Sequence, residues 1–187
     1  MEYFYTFLVA LPLALHAYST AYWGGIYRCL SPREILNMVL AFVIFQAVMF
    51  WLGSISGTSF AGSMGWLSFP IAEAIILLTG IKMIFSAFRT RPEQKSFNLG
   101  KTGELVAVSF ASSLNAFMAG LGIGLLRPVP VFMIIAISLF VAVLSIAGVY
   151  AGKKQGRIIY TTFAGVTAGA FLIVLAVILA LDLNDLI

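Results

Sequence analysis

Six stretches of the chain are apolar over about twenty residues each, at about 3-22, 37-56, 69-88, 104-125, 129-151 and 158-181, and polar residues collect between them. At a rise of about 1.5 Å per residue, roughly 20 apolar residues cross the hydrocarbon core of a bilayer. The pattern predicts six transmembrane helices with short connections: an all-α integral membrane protein. Met1 to Phe7 carries Glu2 and no basic residue, whereas a cleaved secretory signal opens on positive charge. The first apolar stretch is therefore expected to remain as a helix.

Composition narrows the class further. Of 187 residues, 61% are hydrophobic, 14% aromatic and 10% charged, with a mean hydropathy of +1.05. Soluble domains carry about a quarter of their residues as charges, so the solvent of this chain is lipid. Six spans use nearly its whole length, which predicts a single transmembrane domain over 1-187 and no separate soluble one. The lone cysteine, Cys29, excludes an internal disulfide framework and a Cys-rich metal centre.

Charge placement predicts the orientation. The first connection holds Arg28, Arg33 and Glu34, the third Arg89, Arg91, Glu93, Lys95 and Lys101, and the fifth Lys153, Lys154 and Arg157. The second, Gly57 to Ser68, is uncharged, and the fourth holds only Arg127 beside Pro128 and Pro130. Nine of the eleven basic residues thus lie on one side. By the positive-inside rule the odd connections are cytoplasmic and both termini face outward, with Asp182 and Asp185 on the outer side.

The two halves resemble each other. Leu15-His16-Ala17-Tyr18 in span one matches Leu114-Asn115-Ala116-Phe117 in span four. Gly53 and Gly57 close span two with the spacing that Gly148 and Gly152 repeat at the end of span five. Three spans per copy start the second copy on the opposite side of the membrane. The expected fold is two inverted three-helix repeats, about 1-90 and 102-187, a transporter architecture with its site near the midplane. Span four is rich in Ala, Ser and Gly, and Gly165 and Gly169 recur in span six; such residues let helices approach closely in lipid.

Polar residues at depth are the candidate chemistry. His16 and Asn115 both fall near mid-span, with Thr20 one turn after His16 and Ser112 one turn before Asn115. Polar groups at that depth are costly and mark substrate or proton paths; as simple interhelical glue they would contribute about 0.6 kcal/mol. Gln46 in span two has both readings. Glu73 lies near the outer end of span three, where a helix N-terminus and water ease its charge. Lys82 is within snorkelling reach of the cytoplasmic headgroups, and that structural role is its leading reading. Glu73 and Lys82 are half a turn out of phase and are not expected to pair. No HExxH, no nucleotide-binding glycine loop and no triad can be assembled, so an enzyme has no support.

The span count, the Leu15-His16-Ala17-Tyr18 and Ser113-Leu114-Asn115-Ala116-Phe117-Met118-Ala119-Gly120 copies, the run Gly80-Ile81-Lys82-Met83-Ile84 and Gly148 to Gly152 together resemble the MntP-type manganese efflux pumps. That family is related to the lysine-exporter superfamily, and the resemblance covers nearly the whole chain. It implies a multi-pass transporter of a bacterial inner membrane that exports Mn²⁺, with span-one and span-four Asp-Ala motifs handling the cation. Here His16 and Asn115 stand at the Asp positions, and Gln46 where a Glu is expected. The resemblance thus implies His16 and Asn115 as metal ligands, within a substrate site of His16, Asn115, Gln46, Ser112, Thr20 and Glu73. Mn²⁺ favours carboxylates but also accepts imidazole and amide oxygen. His16 could carry a coupling proton as well.

No resident cofactor is expected, since Mn²⁺ is cargo. The expected partners are the lipid bilayer, the transported ion or small solute and, as an open alternative, a second copy of the chain; nucleic acid is not among them. Two other functions stay open: export of a small organic solute such as an amino acid, and a non-transporting membrane scaffold with a degenerate site.

Overall fold

The computed structural model describes residues 2-27, 30-89, 101-157 and 159-184. Arg28, Cys29, Arg91, Glu93, Lys95 and Asp185 lie outside the described residues, as does the side chain of Asp182. The chain forms α1 (Glu2–Tyr27), α2 (Pro32–Met64), a 3-10 turn (Gly65–Leu67), α3 (Ser68–Arg89), α4 (Thr102–Leu126), α5 (Val131–Gln155) and α6 (Ile159–Asn184), with no strand among the described residues. Five helical stretches are long and apolar enough to cross a membrane, with Pro32–Arg89 counting as one stretch of 58 residues.

The largest departure from the sequence reading is α2. The segment from Gly57 to Ser68 was expected as a connection, but the helix runs on through Gly53 and Gly57 to Met64. The Ser and Thr hydroxyls of this segment donate back to the preceding turn, Ser56 to the Leu52 carbonyl at 2.8 Å and Ser59 to that of Ile55 at 2.8 Å. They are satisfied without leaving the helix. Termination falls to Gly65, whose φ of +55° is open to glycine and strained for other residues. At its start α2 has a capping box, with Glu34 N donating to Ser31 Oγ (3.3 Å) and Ser31 N donating to Glu34 Oε2 (2.8 Å).

Packing is set by glycines whose missing Cβ atoms admit a neighbouring backbone. Gly53 and Gly57 of α2 lie against the carbonyls of Phe117 and Leu121 on α4, and Gly124 returns the contact against that of Ser54. The same arrangement recurs between α5 and α1: Gly148 and Gly152 lie against the carbonyls of Tyr18 and Tyr22, and Gly25 against that of Val149. Gly80 of α3 and Gly169 of α6 each face the other's carbonyl. α2 therefore runs parallel to α4 and α1 parallel to α5, while α3 and α6 cross antiparallel. α1 also packs on α6, and α4 on α3.

The outer faces are apolar stripes. Leu36, Leu40, Ile44, Val48, Trp51 and Ile55 are exposed along α2, and Val131, Ile135, Leu139, Val143, Ile146 and Tyr150 repeat the same spacing along α5. Water would not tolerate so continuous an apolar surface; lipid requires it. One end of the bundle carries Arg33, Arg89, Lys101, Lys153, Lys154 and Arg157, and Lys153 Nζ donates to the Leu30 carbonyl there (2.8 Å). Among the described residues, Arg127 is the basic side chain at the opposite end, with its guanidinium 4.9 Å from the centre of the Tyr5 ring.

Candidate functional site

Half-way along α4, Asn115 is buried, and its Oδ1 accepts a hydrogen bond from Lys82 Nζ of α3 at 3.1 Å. This bond overturns the leading sequence reading of Lys82. Lys82 is exposed as a residue, but its ammonium bonds the Asn115 amide rather than reaching out to the headgroups. The antiparallel seam of α3 on α4 fixes the encounter. Gly122 lies against Ile76 one end of that seam, and Lys82 meets Asn115 two turns further along it.

Gln46 reaches the same level from α2. The ring of Phe45 sits edge-on to that of Phe110 on α4, with centroids 6.4 Å apart, so Gln46 lies within about a turn of Ser112 in height. Gln46 is 1% exposed, and neither its Oε1 nor its Nε2 has a hydrogen-bond partner; Ser112 Oγ is buried and equally unpartnered. Leaving a buried polar group unsatisfied costs about 1–3 kcal/mol. Native structures rarely hold several together without a functional reason or bound water.

His16 is partly buried near the middle of α1. The Arg127 contact with Tyr5 sets the antiparallel register of α1 and α4. Counting eleven residues inward from Tyr5 and twelve from Arg127 brings His16 and Asn115 to one height, at about 1.5 Å per residue. Thr20 Oγ1 donates to the His16 carbonyl (3.2 Å), a bond within its own helix. Ser145 of α5, one turn before Gly148, is fully buried with an unpartnered hydroxyl near the height of His16.

Asn115, Ser112, Gln46 and Lys82 thus form one polar layer on α4, α2 and α3. His16 shares its height on α1. Glu73 lies elsewhere: nine residues before Lys82, roughly 14 Å along α3, it lines a groove of about 290 Å³ with Pro70, Ala74, Leu77, Ala176, Val177 and Ala180. The sequence reading put Lys82 on the cytoplasmic side of the site rather than at the level of Asn115, and did not name Ser145. For Lys82 the usable signal was its ionisable character at depth in a span; a single buried serine gives none. Among the described residues, no three His, Cys, Asp or Glu side chains converge into a metal-binding group. Cation ligation at the layer would rest on amide, hydroxyl and imidazole donors.

A family model described as "Putative manganese efflux pump" (Mntp) matches residues 29-179. Among curated relatives, the "Putative manganese efflux pump MntP" of Crocosphaera subtropica is 34% identical over 151 residues, covering 80% of this chain and 80% of the relative. The proteins of the same name from Rippkaea orientalis and Saccharophagus degradans are 32% and 31% identical, over 84% and 80% of this chain and 85% and 82% of theirs. No solved structure matches.

Proposed function

The chain belongs to the Mntp family, and we propose that it is a multi-pass membrane transporter that exports manganese. The helices are read as six spans in two inverted repeats, about 1-90 and 102-187, in a bacterial inner membrane. α2, with 33 residues, and α3, with 22, are each long enough for one crossing, and the turn at Gly65 separates them. The basic end is cytoplasmic, which leaves both termini outside.

The observation that carries the reading is the reciprocity of the packing. The seam of α2 with α4 recurs as that of α5 with α1, and α3 meets α6 glycine to glycine. Two halves exchangeable in this way can alternate about a site near mid-membrane, and the polar layer lies at that level. Asn115 Oδ1, Gln46 Oε1, Ser112 Oγ and an imidazole nitrogen of His16 are the donors for the cargo ion, with Thr20 beside His16 and Glu73 drawing cations at the outer mouth. The unpartnered atoms of Gln46 and Ser112 are poorly placed for a resting protein and well suited to a cation or its hydration water. No resident cofactor is required.

Reconstitution into liposomes tests the assignment. Mn²⁺ flux well above that of protein-free vesicles is expected, and flux equal in wild type and His16→Ala would remove His16 from the mechanism. One observation favours a second reading, export of a small carboxylate-bearing solute such as an amino acid. The layer holds the cation Lys82, while Glu73 sits in a separate groove and Glu104 in the first turn of α4 beside Lys101. Absence of divalent flux, together with thermal stabilisation by amino acids, would select it.

A further inference from the structure

The Lys82 bond places a positive charge on the oxygen that the proposed cargo would need. Resting on the manganese reading, we propose that Lys82 is a tethered occupant of the cation site: its ammonium and the transported ion are alternative ligands of Asn115 Oδ1, and each excludes the other. Three observations carry this. Lys82 Nζ lies 3.1 Å from Asn115 Oδ1, a distance at which no cation could share the oxygen without severe repulsion. Among the described residues no carboxylate pairs with the ammonium: Glu73 is in the groove towards α6, and Glu104, in the first turn of α4, lies beside Lys101. Lys82 is an exposed residue, and Arg89 at the helix end is only seven residues away, so the head can swing to the cytoplasmic interface along the surface of α3.

The consequence concerns the return step of a transport cycle. A carrier whose ligand oxygens stand empty in hydrocarbon pays for unsatisfied dipoles during reorientation. With Lys82 in place the emptied Asn115 oxygen is satisfied by the protein itself, which lowers the cost of resetting the carrier without an ion. Arrival of Mn²⁺ from the cytoplasm displaces the ammonium towards the headgroups, which removes one positive charge from the layer as two enter. Lys82 thereby turns an exchanger into a net exporter.

The test compares the full-length wild type with Lys82→Gln and Lys82→Arg, using Mn²⁺ itself as the probe. Lys82→Gln removes the competitor and is expected to bind Mn²⁺ at least about tenfold more tightly. In liposomes it should retain Mn²⁺/Mn²⁺ exchange and lose most net efflux. Lys82→Arg keeps the charge and should bind no more tightly than wild type. Unchanged affinity in Lys82→Gln, or net efflux equal to wild type, overturns the proposal. A readout on the wild type alone covers the case in which the variants fail to fold. Acylation of Lys82 by a membrane-permeant amine reagent, followed by peptide mass spectrometry, should rise when Mn²⁺ is added, and labelling indifferent to Mn²⁺ overturns the proposal equally. If the wild type neither binds nor moves Mn²⁺, the manganese reading fails first and independently of Lys82.

Discussion

Replacing Gly148 with alanine should destabilise the bundle, although alanine is the better helix former. A Cβ at position 148 would lie 2.6 Å from the Tyr18 carbonyl oxygen and 3.2 Å from both Ala21 Cβ and Tyr22 N. Ordinary contact begins at about 3.4 Å, which leaves a deficit of about 0.8 Å against the carbonyl. That oxygen belongs to the backbone of α1 and cannot rotate away, so the two helices must separate along the seam. A gap of about 0.5–1 Å forfeits a quarter to a half of each contact's attraction, and overpacking of this kind costs about 1–3 kcal/mol. Because the obstacle is backbone, the cost falls in the upper part of that range, about 2–3 kcal/mol; removing a glycine from a helix returns about 1 kcal/mol, so a net loss of about 1–2 kcal/mol is expected. Gly62→Ala in α2 is the control, because a Cβ there meets nothing within 4 Å and only the propensity gain remains. Thermal unfolding of both variants in one detergent should move the midpoints in opposite directions. A Gly148→Ala protein as stable as wild type would refute the close-packed seam between α5 and α1.

Other substitutions separate stability from transport. Gln46→Met removes two unpartnered polar atoms at nearly constant volume and should leave stability equal or raise it by about 1 kcal/mol, while Mn²⁺ flux in liposomes falls; unchanged flux would take Gln46 out of the site. Asn115→Ala strips Lys82 of its acceptor and should cost about 1–3 kcal/mol in detergent unfolding. Ser31→Ala breaks the capping box of α2 and should cost about 1 kcal/mol with transport unchanged.

The helices were legible because lipid leaves the backbone few options: with no water to satisfy peptide groups, an apolar run of twenty residues must be helical. The end of α2 was not. Its small and hydroxylated residues read as a loop by composition, whereas in a membrane helix Ser56 and Ser59 simply bond the preceding turn. The matched glycines at 53, 57, 148 and 152 are visible as spacing and point to close helix packing, but the spacing does not say which helices they join: α2 to α4 and α5 to α1. His16, Asn115 and Gln46 stood out because polar residues at depth are rare. The partner of Asn115 did not, since which helix lies beside α3 depends on contacts distant in sequence. For that reason Lys82 was assigned to the interface and found at the amide.

The proposed repeat makes the layer's lopsidedness informative. Carried across by the register of the glycine seams, Gln46 corresponds to Val141, Lys82 to Phe171 and Ser112 to Leu13, while Asn115 corresponds to His16. α4 with α2 and α3 therefore gathers a charged, hydrogen-bonding compartment. On α1, α5 and α6 the equivalent places are held by Leu13, Val141 and Phe171, all apolar, and Ser145 adds a hydroxyl. An exact duplication would offer two equal sites on either side of the axis and give an ion no preferred route. On the proposed function, divergence of one compartment towards apolar packing would leave the polar side chains gathered on one side of the axis. His16 is then the one polar side chain that the apolar compartment contributes at that height from α1. Restoring a carboxylate on each side should act unequally. Asn115→Asp gains Lys82 as a counter-ion, whereas His16→Asp gains no neighbour of opposite charge at the position equivalent to Lys82, which Phe171 fills.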